Sequence, residues 1–262
     1  MRFKLSKIEK SRSDIKRNIK FPTVLNKDLA ELLGILVGDG SLGFYSRKNI
    51  RGSSYYIQRL IRIACNKKEL DYIQYIVSLF YNLFNLKLKI VQDTKPNSII
   101  LRAQSKGILQ FLNELCGLPL NRKSEIVSVP KIVKEATDEI KCAFIRGLTD
   151  TDFSVSFKNK TKRGHSYPMI CGSFKSKLLI NDLEVLFKEL GFTYCVYYDS
   201  VRIDKRFTNP ITMHHIYLNG EINLKRWIDK IGFSNSKFID KVDFWLKNGV
   251  CPPKYKEVSE GI

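Results

Sequence analysis

The sequence lacks several features that define whole classes of protein. No apolar run approaches the ~18 residues that a membrane span needs, and the first 20 residues contain no apolar core typical of a secretory signal. The six cysteines form no C-x-x-C pair, and the three histidines are scattered. We therefore expect free thiols in a reducing intracellular compartment, the cytoplasm of a prokaryote or an organelle matrix, with neither a zinc site nor a disulfide framework.

Acidic residues are scarce relative to basic ones. The 262 residues include 45 lysines and arginines against 26 aspartates and glutamates, which gives a formal net charge of +19. Apolar residues make up 44% and charged residues 27%, as in a globular protein. A basic excess of this size is unexpected for an enzyme of neutral metabolites and indicates a polyanionic partner, with nucleic acid the first candidate. The alternative is a solvated basic surface.

The apolar pattern predicts the element order α-β-β-α-β-β-α twice. The first half has helices at 29–38, from 70 to 84 and around 109–115, and strands at 56–64, 86–90 and 99–104. After the first helix, the helical pattern is lost over residues 41–47. The second half has helices at 138–151, 179–190 and 224–231, and strands at 154–158, 166–173, 194–199 and 211–218. Asn26 and Thr137 are the predicted caps of the first helix in each half.

Four landmarks recur in the same order in both halves. The pairs are Gly34 and Gly147, Asp39 and Asp152, Leu79-Phe80 and Leu186-Phe187, and Asn121-Arg122-Lys123 and Asn235-Ser236-Lys237. The recurrence favours an internal duplication over two unrelated α+β lobes. We predict a basic N-terminal arm at 1–23, a first repeat at 24–123, a linker at 124–136, a second repeat at 137–250 and a tail at 251–262. The arm either touches phosphates or is frayed.

Each repeat opens with a related nonamer, LLGILVGDG at Leu32–Gly40 and IRGLTDTDF at Ile145–Phe153. Small residues recur four positions apart within each nonamer and share one helix face, which lets two helix backbones pack closely. These residues are Gly34 and Gly38 in the first nonamer and Gly147 and Thr151 in the second.

An acidic residue ends each nonamer helix, Asp39 in the first and Asp152 in the second. Two such helices side by side bring two carboxylates to one point near a pseudo-twofold axis. Carboxylates at short distance are unfavourable unless a cation neutralises them. In a basic protein that faces a phosphodiester, Mg²⁺ is the natural cation, since it clamps the phosphate and activates water.

The two nonamers resemble the motifs of the LAGLIDADG homing endonucleases, in the single-chain form with two motifs. The resemblance covers roughly residues 24–250 and includes the stretch VPKIVKEATDEIKCAFIRGLTDTDFSV. It implies an α+β fold of two pseudo-symmetric αββαββα repeats, each with a curved four-stranded antiparallel sheet. The two sheets form a saddle over double-stranded DNA, with the motif helices as the central seam.

The resemblance also implies an activity. Each repeat is expected to cover about one turn of DNA, ~10 base pairs, so the target is a long asymmetric site. The monomeric enzyme hydrolyses one phosphodiester on each strand across the minor groove and leaves 3′ overhangs. Asp39 and Asp152 match the metal-binding positions, with the backbone carbonyls of Gly38 and Thr151 beside them. Two or more Mg²⁺ ions are expected, and Mn²⁺ is an expected substitute.

Further residues are implied around the attacking water. Lys123 and Lys237 occupy matched positions after the last helix of each repeat and are candidates to stabilise charge on the phosphate or to orient water. Asn66 and Lys67 follow the second strand, where the family often has a Gln-Lys pair. Ser173 and Lys175 are the rough equivalents in the second repeat.

Basic residues on the polar sides of the strands are the candidate DNA contacts, either to bases or to phosphates. They are Arg47, Lys48, Arg51, Arg59, Arg62, Lys87, Lys89, Arg102, Lys158, Lys160, Lys162, Arg163, Arg202 and Arg206.

Two positions depart from the family pattern. Phe153 stands where the first repeat has Gly40, so it is strained if φ is positive there and is the first inward strand residue if the backbone is extended. Asp150 stands where the first repeat has Val37, and we expect it to cap or to form a salt bridge rather than to bind metal.

Two other functions fit the same fold. One is a maturase that binds intron RNA, and the other is a non-catalytic DNA-binding regulator. Both acidic positions are intact, which favours the endonuclease. An intron origin is expected over an intein because the chain starts at Met1 and ends with Ser-Glu-Gly-Ile.

Overall fold

The structure, a computed structural model, describes residues 2–48, 55–161, 164–203, 210–253 and 255. The first part of the chain forms α1 Arg12–Lys16, α2 Lys27–Val37, β1 Gly40–Lys48, β2 Tyr55–Asn66, α3 Leu70–Phe84, β3 Lys89–Gln92, β4 Ser98–Gln104 and α4 Lys106–Gln110. The second part forms α5 Lys131–Lys134, α6 Asp138–Asp152, β5 Phe153–Thr161, β6 Gly164–Phe174, α7 Lys177–Glu189, β7 Cys195–Arg202, β8 Ile211–Asn219, α8 Glu221–Lys230 and α9 Ser236–Asn248. A 3-10 turn covers Leu5–Lys7, and a π-helical turn at Phe111–Leu115 continues α4.

Each repeat builds one four-stranded antiparallel sheet, with strand order β1-β2-β4-β3 in the first and β5-β6-β8-β7 in the second. The predicted α+β fold of two similar repeats is confirmed. Side chains alternate between the two faces of a strand, and one face of each sheet packs on helices. Leu42, Ile61 and Leu101 are buried on that face of the first sheet, as are Val155 and Ile216 in the second.

The opposite face of each sheet carries polar and charged side chains together with some apolar ones, such as Leu60 and Ile100, and is called the open face here. In the first sheet it carries Arg62, which lies opposite Arg102, and Lys89, which also pairs with Arg102. In the second sheet Lys158 lies opposite Tyr167, and His215 pairs with Tyr197.

The helices α2 and α6, called the motif helices below, form the centre of the molecule. Asn26 caps α2 as predicted, since its side chain accepts a hydrogen bond of 2.9 Å from the amide of Leu29. All residues from Leu29 to Val37 are buried, because α2 contacts α6 on one side and the first repeat on the other. Thr137 occupies the N-cap position of α6 but accepts no capping hydrogen bond through its side chain.

Two glycines let the motif helices approach each other. A Cβ at Gly34 would collide with the carbonyl of Phe144 and lie 2.7 Å from the amide nitrogen of Leu148. A Cβ at Gly147 would collide with the carbonyl of Glu31. The predicted role of the small residues, close packing of two helix backbones, is therefore what the structure shows.

The N-terminal segment, residues 2–23, packs on the first repeat rather than fraying. Ser11 and Asp14 form a capping box at the start of α1. The buried Asp14 carboxylate also accepts a hydrogen bond of 3.1 Å from the amide of Gly107. Ile19 is buried, and the ring of Phe3 contacts Phe111 edge-on.

Several elements differ from the sequence prediction. Helix α9 was not predicted, although Phe238, Val242 and Trp245 form a buried stripe along it. The third strand begins at Lys89 instead of residue 86, because Leu86 and Leu88 are buried in the preceding loop. Lys237 lies in the first turn of α9. All six cysteines are free thiols. Within the described part of the chain, no helix has the length and apolarity required to cross a bilayer.

Candidate active site at the helix seam

The two motif helices end side by side, and an aspartate stands at each end. Asp39 comes two residues after the last residue of α2, and Asp152 is the last residue of α6. A Cβ at Gly38 would collide with the side chain of Thr151 and lie 3.3 Å from Oδ2 of Asp152. The Asp152 carboxylate therefore lies against the backbone next to Asp39, as the spacing of the motifs predicts. Asp39 and Asp152 are called the carboxylate pair below.

The carboxylate pair lies in an environment that opposes ionisation. Solvent reaches both side chains, but the surrounding protein removes much of their hydration. Burial, together with the nearby charge of Asp152, raises the pKa of Asp39 to about 7, although Lys123 and Lys237 oppose the shift. Burial also raises the pKa of Asp152, against the effect of Lys123. Two carboxylates in this state favour a cation between them.

Lys123 is bound to the end of the first motif helix. Its Nζ donates to the carbonyl oxygens of Leu36, Val37 and Gly38 at 2.6, 2.5 and 2.6 Å. The last carbonyls of a helix have no partner within the helix, and a positive charge is favourable at that end. Burial lowers the pKa of Lys123 to about 8, while the charges of Asp152 and Asp39 oppose this shift.

Lys237, the counterpart in the second repeat, has a different partner. Its Nζ lies 3.2 and 3.4 Å from the carboxylate oxygens of Glu69, a residue of the first repeat. The Asn235 side chain donates to the same carboxylate at 2.7 Å and to the carbonyl of Asp150 at 3.3 Å. Glu69 had no signal in the sequence, because it is 168 residues from Lys237 and belongs to no motif.

A pocket of about 190 Å³ lies beside the carboxylate pair. Its lining includes Asp39, Asn66, Glu69, Thr151 and Lys237. The predicted residue Asn66 therefore faces the site, whereas its neighbour Lys67 is exposed and does not line this pocket.

The corresponding position in the second repeat is arranged differently. Ser173 is hydrogen-bonded to Nδ1 of His215 at 2.7 Å on the open face of the second sheet. Neither Ser173 nor Lys175 lines the pocket beside the carboxylate pair. The two repeats are therefore similar in fold but not in the polar residues that surround the site.

The two departures from the motif pattern have structural explanations. Asp150 accepts a hydrogen bond of 2.7 Å from the amide of Ser234, the residue before the N-cap Asn235 of α9, so it binds the loop ahead of that helix rather than capping it. Burial raises the pKa of Asp150 to about 7, and the Ser234 amide opposes that shift. Phe153 is extended, with φ −96° and ψ 168°, and its buried ring packs against Phe174. It is the first inward residue of β5 and is not strained.

The candidate DNA contacts divide by location. Four of them occupy the open faces by register, and these are Arg62, Lys89, Arg102 and Lys158. Arg202 ends β7, opposite Ile211. Lys160 lies over the ring of Tyr167 with Nζ 4.0 Å from its centroid, and Lys48 lies 5.9 Å from that of Tyr55.

Other candidates lie elsewhere. Arg59 shares the helix-facing side of β2 with Ile61 and lies over the ring of Phe44. Lys87 precedes β3 and approaches the ring of Tyr81. The backbone of Arg47 belongs to β1, but its side chain is outside the described part of the structure, as are the residues Arg51, Lys162, Arg163 and Arg206.

Comparison with protein families finds a match to most of the second repeat. Residues 139–232 match the family described as LAGLIDADG-like domain. Among solved structures, a variant of I-DmoI in complex with its target DNA in the presence of Mn aligns with a TM-score of 0.51 and 18% identity, over 79% of this chain and 93% of that one. Meganuclease I-SmaMI bound to uncleavable DNA aligns with a TM-score of 0.54 and 14% identity, over 85% and 90% of the two chains. The resemblance to the LAGLIDADG homing endonucleases is confirmed, and these two structures share the fold.

Curated relatives match over short parts of their length. An A-type ATP synthase subunit of Pyrococcus abyssi is 30% identical over 136 residues, which is 52% of this chain and 12% of that protein. The DNA polymerase of Acanthamoeba polyphaga mimivirus is 26% identical over 211 residues, 75% of this chain and 11% of that protein. The chain thus spans about a tenth of the length of each of these proteins. Because so little of either protein is matched, the activity of neither is assigned to this chain.

Proposed function

We propose that this chain, with the fold of the LAGLIDADG homing endonucleases and a LAGLIDADG-like second repeat, is a site-specific endonuclease that cuts both strands of DNA. The observation that carries the proposal is the carboxylate pair at the seam of the motif helices. Asp152 lies against Gly38, next to Asp39, and the first strand of each sheet begins directly after these aspartates, in a chain of net charge +19. A DNA duplex along the open faces places a phosphodiester near this seam.

The residues at the seam fit a divalent cation. Within the described residues no group of three or more His, Cys, Asp or Glu side chains is arranged to hold a metal ion. Mg²⁺ needs fewer protein ligands than that, because it is commonly bound by one or two carboxylates together with substrate phosphates and water. Asp39 and Asp152 are the proposed ligands, with the carbonyl of Thr151. The Gly38 carbonyl already accepts a hydrogen bond from Lys123.

The chain's own residues then have separable roles. A bound divalent cation supplies Lewis-acid polarisation of the phosphate and a more acidic water. Lys123, fixed on three carbonyls, holds its ammonium group where negative charge develops on the phosphate. Asn66 faces the pocket and is proposed to orient the attacking water.

The finer features of the proposal follow from the family resemblance. They are a long asymmetric target, 3′ overhangs, Mg²⁺ as the physiological ion with two or more bound, action as a monomer and an intracellular location. An origin in an intron stays a prediction.

The test is a cleavage selection. Purified protein with Mg²⁺ is incubated with genomic fragments or randomised duplexes, and the cut ends are sequenced, with Asp39→Asn as the control. A single long motif with 3′ overhangs that is absent from the control is the expected result. Binding to structured intron RNA without DNA cleavage would favour the maturase instead. Sequence-specific DNA binding that is indifferent to Mg²⁺, without nicking, would favour the regulator.

A further inference from the structure

A second cleft, which shares no lining residue with the pocket beside the carboxylate pair, lies at the outer edge of the first sheet. It has a volume of about 540 Å³, and its walls come from residues 11–17 around α1, from β2, from the segment before β3 and the start of β3, from β4 and from the start of α4. Basic side chains from all of these elements line it. They are Arg17, Arg59, Lys87, Lys89, Arg102 and Lys106, and the set is called the cationic cleft below.

The charge of the cationic cleft is mostly uncompensated. Arg17 pairs with the buried Asp14 at 3.2 Å, and Lys106 pairs with Glu9. The other four cations form no ion pair with any described residue, so a strong positive potential remains in the cleft. An anionic ligand is the natural counterpart.

The N-terminal segment forms a fixed wall of this cleft. Asp14 accepts hydrogen bonds from the amides of Ser11 and Gly107 at 2.9 and 3.1 Å. Arg17 donates to the carbonyl of Gln104 at the end of β4, at 2.8 Å. The wall is therefore built into the fold of the first repeat, which is unexpected for a basic arm.

The cleft is continuous with the open face of the first sheet. Lys89 and Arg102 line the cleft and are also directly paired across β3 and β4 on the open face. A duplex that lies on this face therefore brings its sugar-phosphate backbone to the mouth of the cleft. The volume greatly exceeds the ~30 Å³ that one water occupies in the liquid, so there is room for more than a single small ion.

We propose that the cationic cleft binds backbone phosphates of duplex DNA at the outer flank of the half-site covered by the first sheet. The N-terminal segment thereby extends the contact with DNA beyond the sheet. The identification of the polyanion as DNA rests on the proposed function, whereas the phosphate-binding chemistry rests on the cleft itself.

The test compares two double variants that remove the same charge. Lys87→Ala with Lys106→Ala removes two cations from the cleft, and Arg12→Ala with Lys16→Ala removes two exposed cations of α1 that do not line it. Affinity for duplex DNA is measured over a range of salt concentrations without divalent metal. We expect the cleft variant to lose about tenfold in affinity and its log–log salt slope to fall by about 1–2, as for one or two lost phosphate contacts. The α1 variant should keep the slope of the wild type.

A second variant and a second readout support this comparison. Lys87 is exposed, so Lys87→Glu leaves the core intact. This substitution should weaken binding to duplex DNA more than the double alanine variant does. Methylphosphonate placed at single backbone positions should weaken wild-type binding at one flank of the target, and the cleft variant should be insensitive there.

Each alternative outcome is informative. Equal slopes for the two double variants would overturn the proposal, as would competition by inorganic phosphate without any effect of the variants on DNA binding, which indicates a small-anion site. Loss of affinity for structured RNA but not for duplex DNA in the cleft variant would assign the cleft to RNA. If the cleft variant loses DNA affinity as expected while the wild type cuts no DNA, the cleft proposal stands and the endonuclease proposal fails.

Discussion

The ammonium group of Lys237 lies 3.2 Å from the carboxylate of Glu69, a residue of the opposite repeat. Its counterpart Lys123 instead binds three carbonyls at the end of α2. The two lysines share a position in the repeat but have different partners. The two halves of the site are therefore unequal before any substrate binds.

This inequality predicts different effects for the same substitution. Lys123→Met removes the donor to three helix carbonyls, so it should lower the free energy of unfolding by about 1–3 kcal/mol and slow nicking of one strand by about 10²–10³-fold. Lys237→Met should change stability less, because the exposed part of the Glu69 carboxylate regains water. Denaturant unfolding and strand-resolved nicking of a labelled duplex measure both effects. Equal losses of stability in the two variants would contradict the prediction.

The raised pKa of Asp39 predicts a pH dependence of stability in the metal-free protein. The pKa is about 7 in the folded chain and about 3.9 in an unfolded one. Between these two pKa values the unfolded chain holds fewer protons than the folded chain. The free energy of unfolding therefore falls as the pH rises through this range, and the full loss is reached above pH 7. Asp39→Asn should remove this effect and have a higher Tm than the wild type at pH 8, with a smaller difference at pH 5.

Divalent metal should reverse the order of these two Tm values, so that the wild type melts at the higher temperature. Mg²⁺ stabilises the folded wild type by mass action, and Asp39→Asn should respond much less because it lacks one ligand. Asp28→Asn, an exposed carboxylate in the first turn of α2, serves as the control and should keep the wild-type response to both pH and Mg²⁺. A Tm of Asp39→Asn that rises with Mg²⁺ as much as the wild type would disprove the metal assignment.

The buried ion pair between the motif helices predicts a large loss of stability. Arg146 donates to Oε2 of Glu31 at 2.9 and 2.6 Å, and the Glu31 side chain is 2% exposed. Arg146→Met leaves a buried carboxylate without its counter-charge, which should lower the free energy of unfolding by about 3–5 kcal/mol. Lys27→Met breaks the exposed pair with Glu139 and should change it by less than about 1 kcal/mol. Urea unfolding of both variants tests this difference.

Because the motif helices are in contact at Gly34, any larger residue at this position should destabilise the fold. Gly34→Ala forces a methyl group against the backbone of Phe144 and Leu148, so we expect a loss of about 3 kcal/mol and a lower urea midpoint. Asn82→Ala on the exposed side of α3 is the control and should remain within about 0.5 kcal/mol of the wild type. A Gly34→Ala protein as stable as that control would contradict the described helix packing.

Local patterns were sufficient to predict much of the architecture. The helix at 70–84 and the strands β2 and β4 have regular apolar spacing, and their observed bounds differ by at most two residues from the prediction. The convergence of Asp39 and Asp152 was predictable because small residues four apart specify which helix faces meet.

The remaining differences arise from contacts that have no local signature. Glu69 reaches Lys237 only after both repeats have folded. Asp14, in a basic segment that resembles a solvated arm, is buried because Gly107 and Ser11 donate to it. Helix α9 has a local signal in the stripe of Phe238, Val242 and Trp245, but the match between Lys123 and Lys237 favours a position for Lys237 after the last helix rather than within one.

The pair of Glu31 and Arg146 also governs how the two repeats can be recombined. A chimera that takes its first repeat from this protein and its second from another brings Glu31 without Arg146, and the reciprocal chimera brings the cation alone. Glu31 also accepts hydrogen bonds from Tyr75 of its own repeat and from Ser234 of the other, so the mismatch would extend beyond one ion pair. A stable hybrid of two repeats from different proteins therefore requires that Arg146 and Ser234, or equivalent partners, be present in whichever repeat is joined to Glu31.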